Sequence, residues 1–336
     1  MPATTNTLRN DLVNRILQVT EDSFDDLSMA IFRFQFTHNL LYREYCKLLG
    51  KDTGNVSIPE EAPFLPISFF KTHDIHTNVW NPRVVFTSSG TSGQTRSRHL
   101  IRDLRFYHEN CIRGFASVFG HAVSEYVWLA LLPSQIDRPD SSLISMVSAF
   151  IEAGKPGSGF ITKDEFQETA LQADLGSYPV ACISLSFVLL DLTESLHMQL
   201  SNTVLIETGG MKGRRSEPTR KELHRAIQHS FGVPAVCSEY GMTELLSQAW
   251  SKGEGIFRPA PGLRILIRDF ADPLTLLPHG SRGGINCIDL ANLDTCAFIA
   301  TDDVGIVHPD GSFEALGRFD ASEWRGCNLM VGEMRE

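Results

Sequence analysis

The sequence predicts an α/β protein: a large domain of mostly parallel sheet flanked by helices, then a small β-rich subdomain. Three observations predict it. Short, almost wholly apolar runs at 126–132, 180–185 and 203–207 read as buried strands and alternate with helical patterns, the signature of parallel strands joined by crossover helices. Loops rich in glycine, hydroxyl and acidic residues follow the strand-like runs, where ligands sit in such sheets. From about Gly253 the texture changes to short β-type runs, IFRPAP, LRILIRDF, INCIDL, CAFIATDDVGIV and FEAL, with a turn at His308-Pro309-Asp310-Gly311. The expected division is 1–252 as the α/β domain and 253–336 as the β-rich part with a C-terminal tail.

In chain order, Ser23 with Asp26 reads as a helix start, and Phe24, Leu27, Ile31, Phe34, Leu41, Tyr45 and Leu48 recur at helical spacing until Gly50. One long amphipathic helix is therefore expected. Prolines 59, 63, 66 and 82 make 51–82 irregular, with FLPISFF docked on the core. Asp103 caps a helix running to Gly120, and Ser141 or Ser142 starts another, LISMVSAFIEAG.

The stretch VVFTSSGTSGQTRSR, 84–98, combines a strand with an anion-binding loop. Gly90 and Gly93 open backbone angles closed to other residues, so several N–H groups can converge on one oxyanion. Thr87, Ser88, Ser89, Thr91, Ser92 and Thr95 add hydroxyls, and Arg96 and Arg98 add positive charge suited to phosphate. Two further loops draw attention: ETGGMKGRR at 207–215 and SEYGMTE at 238–244, the latter after a strand at 234–237. Taken singly, each is as consistent with an ordinary solvated turn as with a ligand site.

Composition narrows the function class. Thirty basic against forty acidic residues, a formal net charge of −10, argue against nucleic acid or an anionic membrane as the main partner. Seven scattered cysteines with no CxxC indicate neither a disulfide framework nor a zinc knuckle and fit a reducing compartment. No apolar run reaches the roughly 18 residues of a membrane span, and no signal peptide is evident, so a cytoplasmic location is expected.

The loops acquire meaning from their order. SSGTSGQTR, YGMTE, ATDD and GRFD, running from Ser88 to Asp320, resemble the signature of the adenylate-forming, acyl-activating superfamily. LLPSQIDRPDSSLISMV and the terminal GRFDASEWRGCNLM look most like its acyl-protein synthetase branch, found in the fatty-acid reductase complexes of bacterial luminescence, which lacks the usual mobile C-terminal domain.

The resemblance implies an acid-thiol ligase using ATP and Mg²⁺. A carboxylic acid, a fatty acid in that branch, becomes acyl-AMP with release of pyrophosphate, and a cysteine near the C-terminus, here Cys327, takes the acyl group for a reductase or carrier protein. Ser88, Ser89, Gly90, Thr91, Ser92 and Gly93 with Arg96 would hold the β- and γ-phosphates, and Gly209 and Gly210 would let backbone approach adenine. Tyr240, followed by Gly241, would stack on adenine; Thr243 would touch the α-phosphate and Glu244 would ligate Mg²⁺. Asp303 would bind the ribose hydroxyls, and Arg318 ribose or phosphate.

The chain departs from the pattern in carrying Arg96 where lysine is usual and Thr95 where proline is common. Alternative readings are a coenzyme A or carrier-protein ligase without self-acylation, and an inactive nucleotide-binding protein. A homo-oligomer is among the partners considered.

Overall fold

The structure, a computed structural model, describes residues 5–89, 95–209 and 219–318. Its first layer is helical: α1 (Thr5–Ile16), α2 (Glu21–His38) and α3 (Leu40–Leu48). The single helix expected from Ser23 to Leu48 is in fact two. Asn39 is extended (φ −106°, ψ 106°), its side-chain oxygen accepts from the Tyr42 amide at 3.0 Å, and its Nδ2 donates to the Thr295 carbonyl at 2.9 Å. A buried Asn offers the backbone an alternative to helical pairing, which breaks the run without disturbing its apolar spacing. The start also moves one turn upstream, with Thr20 outside the helix and its amide donating to Ser23 Oγ at 3.0 Å.

FLPISFF docks as expected. Its strand β1 (Leu65–Pro66) leads into the short helix α4 (Phe69–Thr72), and Leu65 and Phe70 are buried. The glycine-loop stretch is a hairpin: β2 (Val84–Thr87) pairs antiparallel with β3 (Arg98–Ile101), a strand the sequence reading lacked. Helix α5 (Leu104–Phe119) starts at Asp103, whose carboxylate accepts from the Phe106 amide at 3.1 Å, and ends at Gly120 in the left-handed region (φ 78°).

The alternating stretch follows: β4 (Val127–Leu131), α6 (Ser142–Ala153), β5 (Gly159–Phe160), α7 (Lys163–Asp174), β6 (Val180–Leu185), α8 (Ser186–Thr193), β7 (Thr203–Thr208), α9 (Arg220–Phe231) and β8 (Val236–Tyr240). The strands lie parallel in the order β5-β4-β6-β7-β8. Strand β8 extends to Tyr240, so Ser238, Glu239 and Tyr240 belong to the strand and the turn begins at Gly241.

The rest is antiparallel: β9 (Ala249–Ser251), β10 (Ile256–Pro259), β11 (Leu263–Arg268), β12 (Arg282–Asp289), β13 (Phe298–Val307) and β14 (Phe313–Arg318). Among the described residues the sheet runs continuously as β11-β12-β13-β14-β10-β9-β8-β7-β6-β4-β5, with β1 added in parallel to β13. The expected α/β class with a β-rich C-terminal part is borne out. No described helix is long and apolar enough to cross a membrane.

The core beneath the sheet is aromatic. Phe115 on α5 meets Trp128 at 5.0 Å, Trp250 at 5.4 Å and Phe150 at 5.7 Å between ring centroids, all four fully buried. Phe115→Ala is expected to destabilise the protein by about 3–5 kcal/mol, since it removes the ring on which the others converge and leaves a cavity. Urea unfolding of the two proteins measures this.

Candidate active site

Parallel pairing of β7 and β8 sets Thr208 beside Glu239 at the carboxyl ends of the two strands, where the motif loops begin. The Thr208 hydroxyl donates to Glu239 Oε2. Burial pushes the Glu239 carboxyl up to about 7 against that hydrogen bond, and the neighbouring Glu207 adds to the rise. Glu207 behaves oppositely. Burial raises it, but His224 Nε2 at 3.4 Å, the Ser186 and Ser238 hydroxyls and the charge of Arg220 outweigh burial and hold it below its ordinary value. Gly209, left-handed at φ 72°, offers its carbonyl to Ser186 Oγ at 2.6 Å. Gly241 has a steric reason to be glycine: a Cβ there would lie 2.2 Å from Glu239 Oε1, on a carboxyl that Thr208 holds through its other oxygen, Oε2.

The Glu239 carboxyl gives a signed expectation. Between its ordinary value of 4.5 and about 7 the folded protein holds a proton that the unfolded chain has lost, so this group's contribution to stability falls as pH rises through that window. Glu239→Gln removes the titration. Its unfolding free energy, from urea titrations, is therefore expected to gain on that of the parent between about pH 5 and about pH 8, by on the order of 1–3 kcal/mol. A constant difference across the window contradicts this.

Tyr240 and Asp303 come together across the two halves of the sheet. The Tyr240 hydroxyl donates to Asp303 Oδ2 at 2.8 Å, and its ring is held edge-on by Phe313 at 5.2 Å and Phe257 at 5.8 Å. Asp303 on β13 is register-paired with Arg318 on β14, whose Nε lies 3.5 Å from Asp303 Oδ1. Burial raises the Asp303 carboxyl, while Tyr240 and Arg318 oppose it.

Glu244 is buried, and burial raises its carboxyl; the Ser97 hydroxyl and the positive charges of Arg318 and Lys71 pull the other way. No ion pair within 4.0 Å reaches it among the described residues. Its carbonyl accepts from Asn292 Nδ2 at 2.7 Å. The following residues are anchored by Asp289, a fully buried carboxylate accepting from the Leu246 and Ser247 amides at 2.8 and 2.9 Å and from Ser247 Oγ at 2.6 Å. Thr243 offers its carbonyl to His99 Nδ1 at 2.8 Å.

The base of the glycine-loop hairpin is closed by reciprocal bonds between Ser88 and Ser97: Ser88 N to the Ser97 carbonyl at 3.2 Å and Ser97 N to Ser88 Oγ at 3.0 Å. Thr87 is tied to Asp140 through its hydroxyl and, at 2.8 Å, through its amide to the Asp140 carbonyl. Ser89 and Arg96 flank the loop and are exposed. Gly90, Thr91, Ser92, Gly93, Gly210 and Cys327 lie outside the described residues.

Ser88, Gly209, Tyr240, Gly241, Thr243, Glu244, Asp303 and Arg318 thus belong to loops and strand ends joined by direct contacts, while Arg96 lies at the exposed edge of the hairpin. Sequence reasoning missed His99, Asp289 and Asn292, which present no motif, and Glu239, which sat unremarked inside one.

An acidic or His/Cys cage for a metal is absent among the described residues: no group of three or more such ligands is found. A lone buried carboxylate fits Mg²⁺, which prefers one or two carboxylates with substrate phosphates to an all-protein cage.

No family model matches the chain. The architecture is that of the adenylate-forming enzymes. A structure of 2-hydroxyisobutyryl-CoA ligase in complex with 2-HIB-AMP and CoA superimposes with a TM-score of 0.64 at 13% identity, over 90% of this chain and 72% of that one. O-succinylbenzoate coenzyme A synthetase (MenE) from Bacillus subtilis, in complex with ATP and magnesium ion, gives 0.50 at 17% identity over 70% of this chain and 49% of that one. ATP-bound MatB from Rhodopseudomonas palustris gives 0.50 at 16% over 72% and 49%, so the chain spans about half the length of these two ATP-bound proteins.

In sequence the chain is 23% identical over 349 residues to the long-chain-fatty-acid–luciferin-component ligase of Vibrio harveyi, covering 94% of this chain and 89% of that protein. The resemblance read from the ordered motifs, to the superfamily and to its luminescence branch, is borne out.

Proposed function

We propose that the protein is an ATP-dependent acyl-protein synthetase. A carboxylate oxygen of the acid attacks the α-phosphorus, the bond to the bridging oxygen breaks, and pyrophosphate leaves; the thiolate of Cys327 then attacks the acyl carbon and AMP departs. The observation that carries the first step is that the Thr243–Glu244 turn meets both neighbours: the hairpin of Ser88 and Ser97 through the His99 bond to the Thr243 carbonyl and through Ser97 at Glu244, and the Tyr240–Asp303–Arg318 group through the charge of Arg318 on Glu244. Such a reaction leaves little covalent work to the protein, which acts by positioning and charge neutralisation.

In this reading Ser88, Ser89 and Arg96 sit at the triphosphate with the loop between them. Thr243 meets the α-phosphate, and Tyr240, Gly209 and Gly241 border adenine. Asp303 is held by the Tyr240 hydroxyl with Oδ1 turned to Arg318, suited to accept from ribose hydroxyls. Glu244 would hold Mg²⁺, which neutralises phosphate charge when bound.

The second step needs a thiolate, the nucleophilic form of cysteine. The six described cysteines are all buried. Burial pushes the thiols of Cys46 and Cys182 up to about 12 and that of Cys237 up to about 11, and raises Cys111, Cys287 and Cys296 as well. That supports Cys327, beside Arg325, as the acyl acceptor.

Intact mass after incubation with ATP, Mg²⁺ and a panel of acids from acetate to long-chain and aromatic tests this. The expected result is a mass gain of one acyl group, labile to hydroxylamine, largest with a fatty acid. Acyl-CoA formed on adding coenzyme A, with no mass gain on the enzyme, would replace the self-acylating reading with a coenzyme A ligase, the activity named for the 2-hydroxyisobutyryl relative.

A further inference from the structure

Resting on the adenylating reading, we infer that His99 is a positioning residue that clamps the turn bearing Thr243 and Glu244 to the hairpin bearing the glycine loop. His99 stands on β3 opposite Phe86 and is fully buried. It lies two residues after Ser97, at the point where the hairpin leaves the loop. Nδ1 lies 2.8 Å from the Thr243 carbonyl and Nε2 lies 3.0 Å from Thr295 Oγ1, while Phe70 meets the ring edge-on at 5.4 Å.

The chemistry of the partners fixes the tautomer. A carbonyl only accepts, so Nδ1 carries the proton and Nε2 accepts from the Thr295 hydroxyl. Burial lowers the imidazole to about 4 against the bond to Thr243, so the ring keeps this single neutral form at neutral pH. Both ring nitrogens are satisfied, so the group has no spare capacity for proton transfer and does not touch reacting atoms.

Its value is geometric. Thr295 is held from the other side by Asn39 Nδ2 on its carbonyl at 2.9 Å, and Gln35 Nε2 donates to the Asn292 and Leu293 carbonyls at 2.9 and 3.0 Å. Asn292 in turn donates to the Glu244 carbonyl at 2.7 Å. Two successive carbonyls of the turn, Thr243 and Glu244, are therefore tied to the core by one side chain each. Asn292 fixes the turn to the β12–β13 connection, whereas His99 alone of the two lies on the glycine-loop hairpin. The triphosphate loop and the α-phosphate turn must hold one nucleotide between them, and a displacement of about 1 Å between such groups costs on the order of 10²-fold in rate.

Three substitutions separate this role from mere core filling. His99→Asn places an amide N–H where Nδ1 stands and keeps the Thr243 bond while losing Thr295; His99→Gln reaches toward Thr295 and loses Thr243; His99→Phe keeps neither. The Asn variant is expected to retain acid-dependent ATP–pyrophosphate exchange within ~3-fold, and the Gln and Phe variants to lose about 10- to 100-fold in kcat with KM for the acid unchanged.

Hydrogen–deuterium exchange of the 238–247 segment in the free protein is expected to stay protected in the Asn variant and to quicken about 10-fold in the other two. Asn and Gln variants falling alike, none falling, or activity following only the unfolding midpoint overturns the clamp. Should the parent protein show no pyrophosphate exchange with any acid, the adenylating reading fails. The clamp is then judged by deuterium exchange alone: upheld if Asn protects and Gln does not, overturned otherwise.

Discussion

Glu244→Gln is expected to cut acid-dependent ATP–pyrophosphate exchange about 10²- to 10³-fold, the scale found when one fixed charge-stabilising group is removed from a transition state. The substitution keeps shape and removes the charge. Glu244 is a buried carboxylate with no ion-pair partner among the described residues, held by its own carbonyl to Asn292 and electrostatically eased by Ser97, Arg318 and Lys71. A carboxylate left so poorly compensated is costly to the fold on its own account. The Gln variant is therefore expected to unfold at the same temperature as the parent or higher while losing activity. Exchange assays at saturating Mg²⁺, run beside thermal unfolding, check both halves; loss of activity together with loss of stability would mean that Glu244 is structural.

The second large effect is expected at Cys327. Cys327→Ser should abolish the hydroxylamine-labile acyl-enzyme while leaving ATP–pyrophosphate exchange within about 2-fold of the parent, because thioester formation follows adenylate formation and needs the thiolate. Intact mass and exchange, measured on the same preparation, separate the two steps. Acylation persisting in the Ser variant would move the acceptor elsewhere. The described cysteines are poor substitutes, since burial raises each of their thiols.

The parts of the fold with strong periodicity or capping chemistry were legible in the sequence. The run VWLAL is apolar throughout, and VACISL and TVLIET are apolar through their middles, because both faces of a parallel strand are covered; Asp103, Ser141 and Gly120 cap helices through mechanisms local to a few residues. The long N-terminal helix was misread because its apolar spacing continues through Asn39, whose helix-breaking contact to Thr295 comes from 256 residues away. Strand β3 was missed for a similar reason. Arg98–Ile101 is four residues long, begins with an exposed arginine, and is defined by pairing with β2 rather than by a pattern of its own.

The candidate site divides along the same line. Gly241, Tyr240, Thr243, Glu244 and Asp303 stand in motifs whose order carries information. His99, Asp289 and Asn292 orient that turn from the core side through contacts to main-chain atoms, and a main-chain partner leaves no trace in the residue types around it. Glu239 shows an intermediate case: it lies within SEYGMTE, yet its significance comes from Thr208 on the adjacent strand and from the absence of a Cβ at Gly241.

The central claim is that the converging loops form an acyl-adenylate. Isotope exchange between labelled pyrophosphate and ATP, with the parent protein, Mg²⁺ and a fatty acid, tests it most directly. The account predicts exchange that requires the acid and is largely lost in Glu244→Gln. ATP binding without exchange, for every acid from acetate to long-chain and aromatic, would contradict it and leave a nucleotide-binding protein without this chemistry.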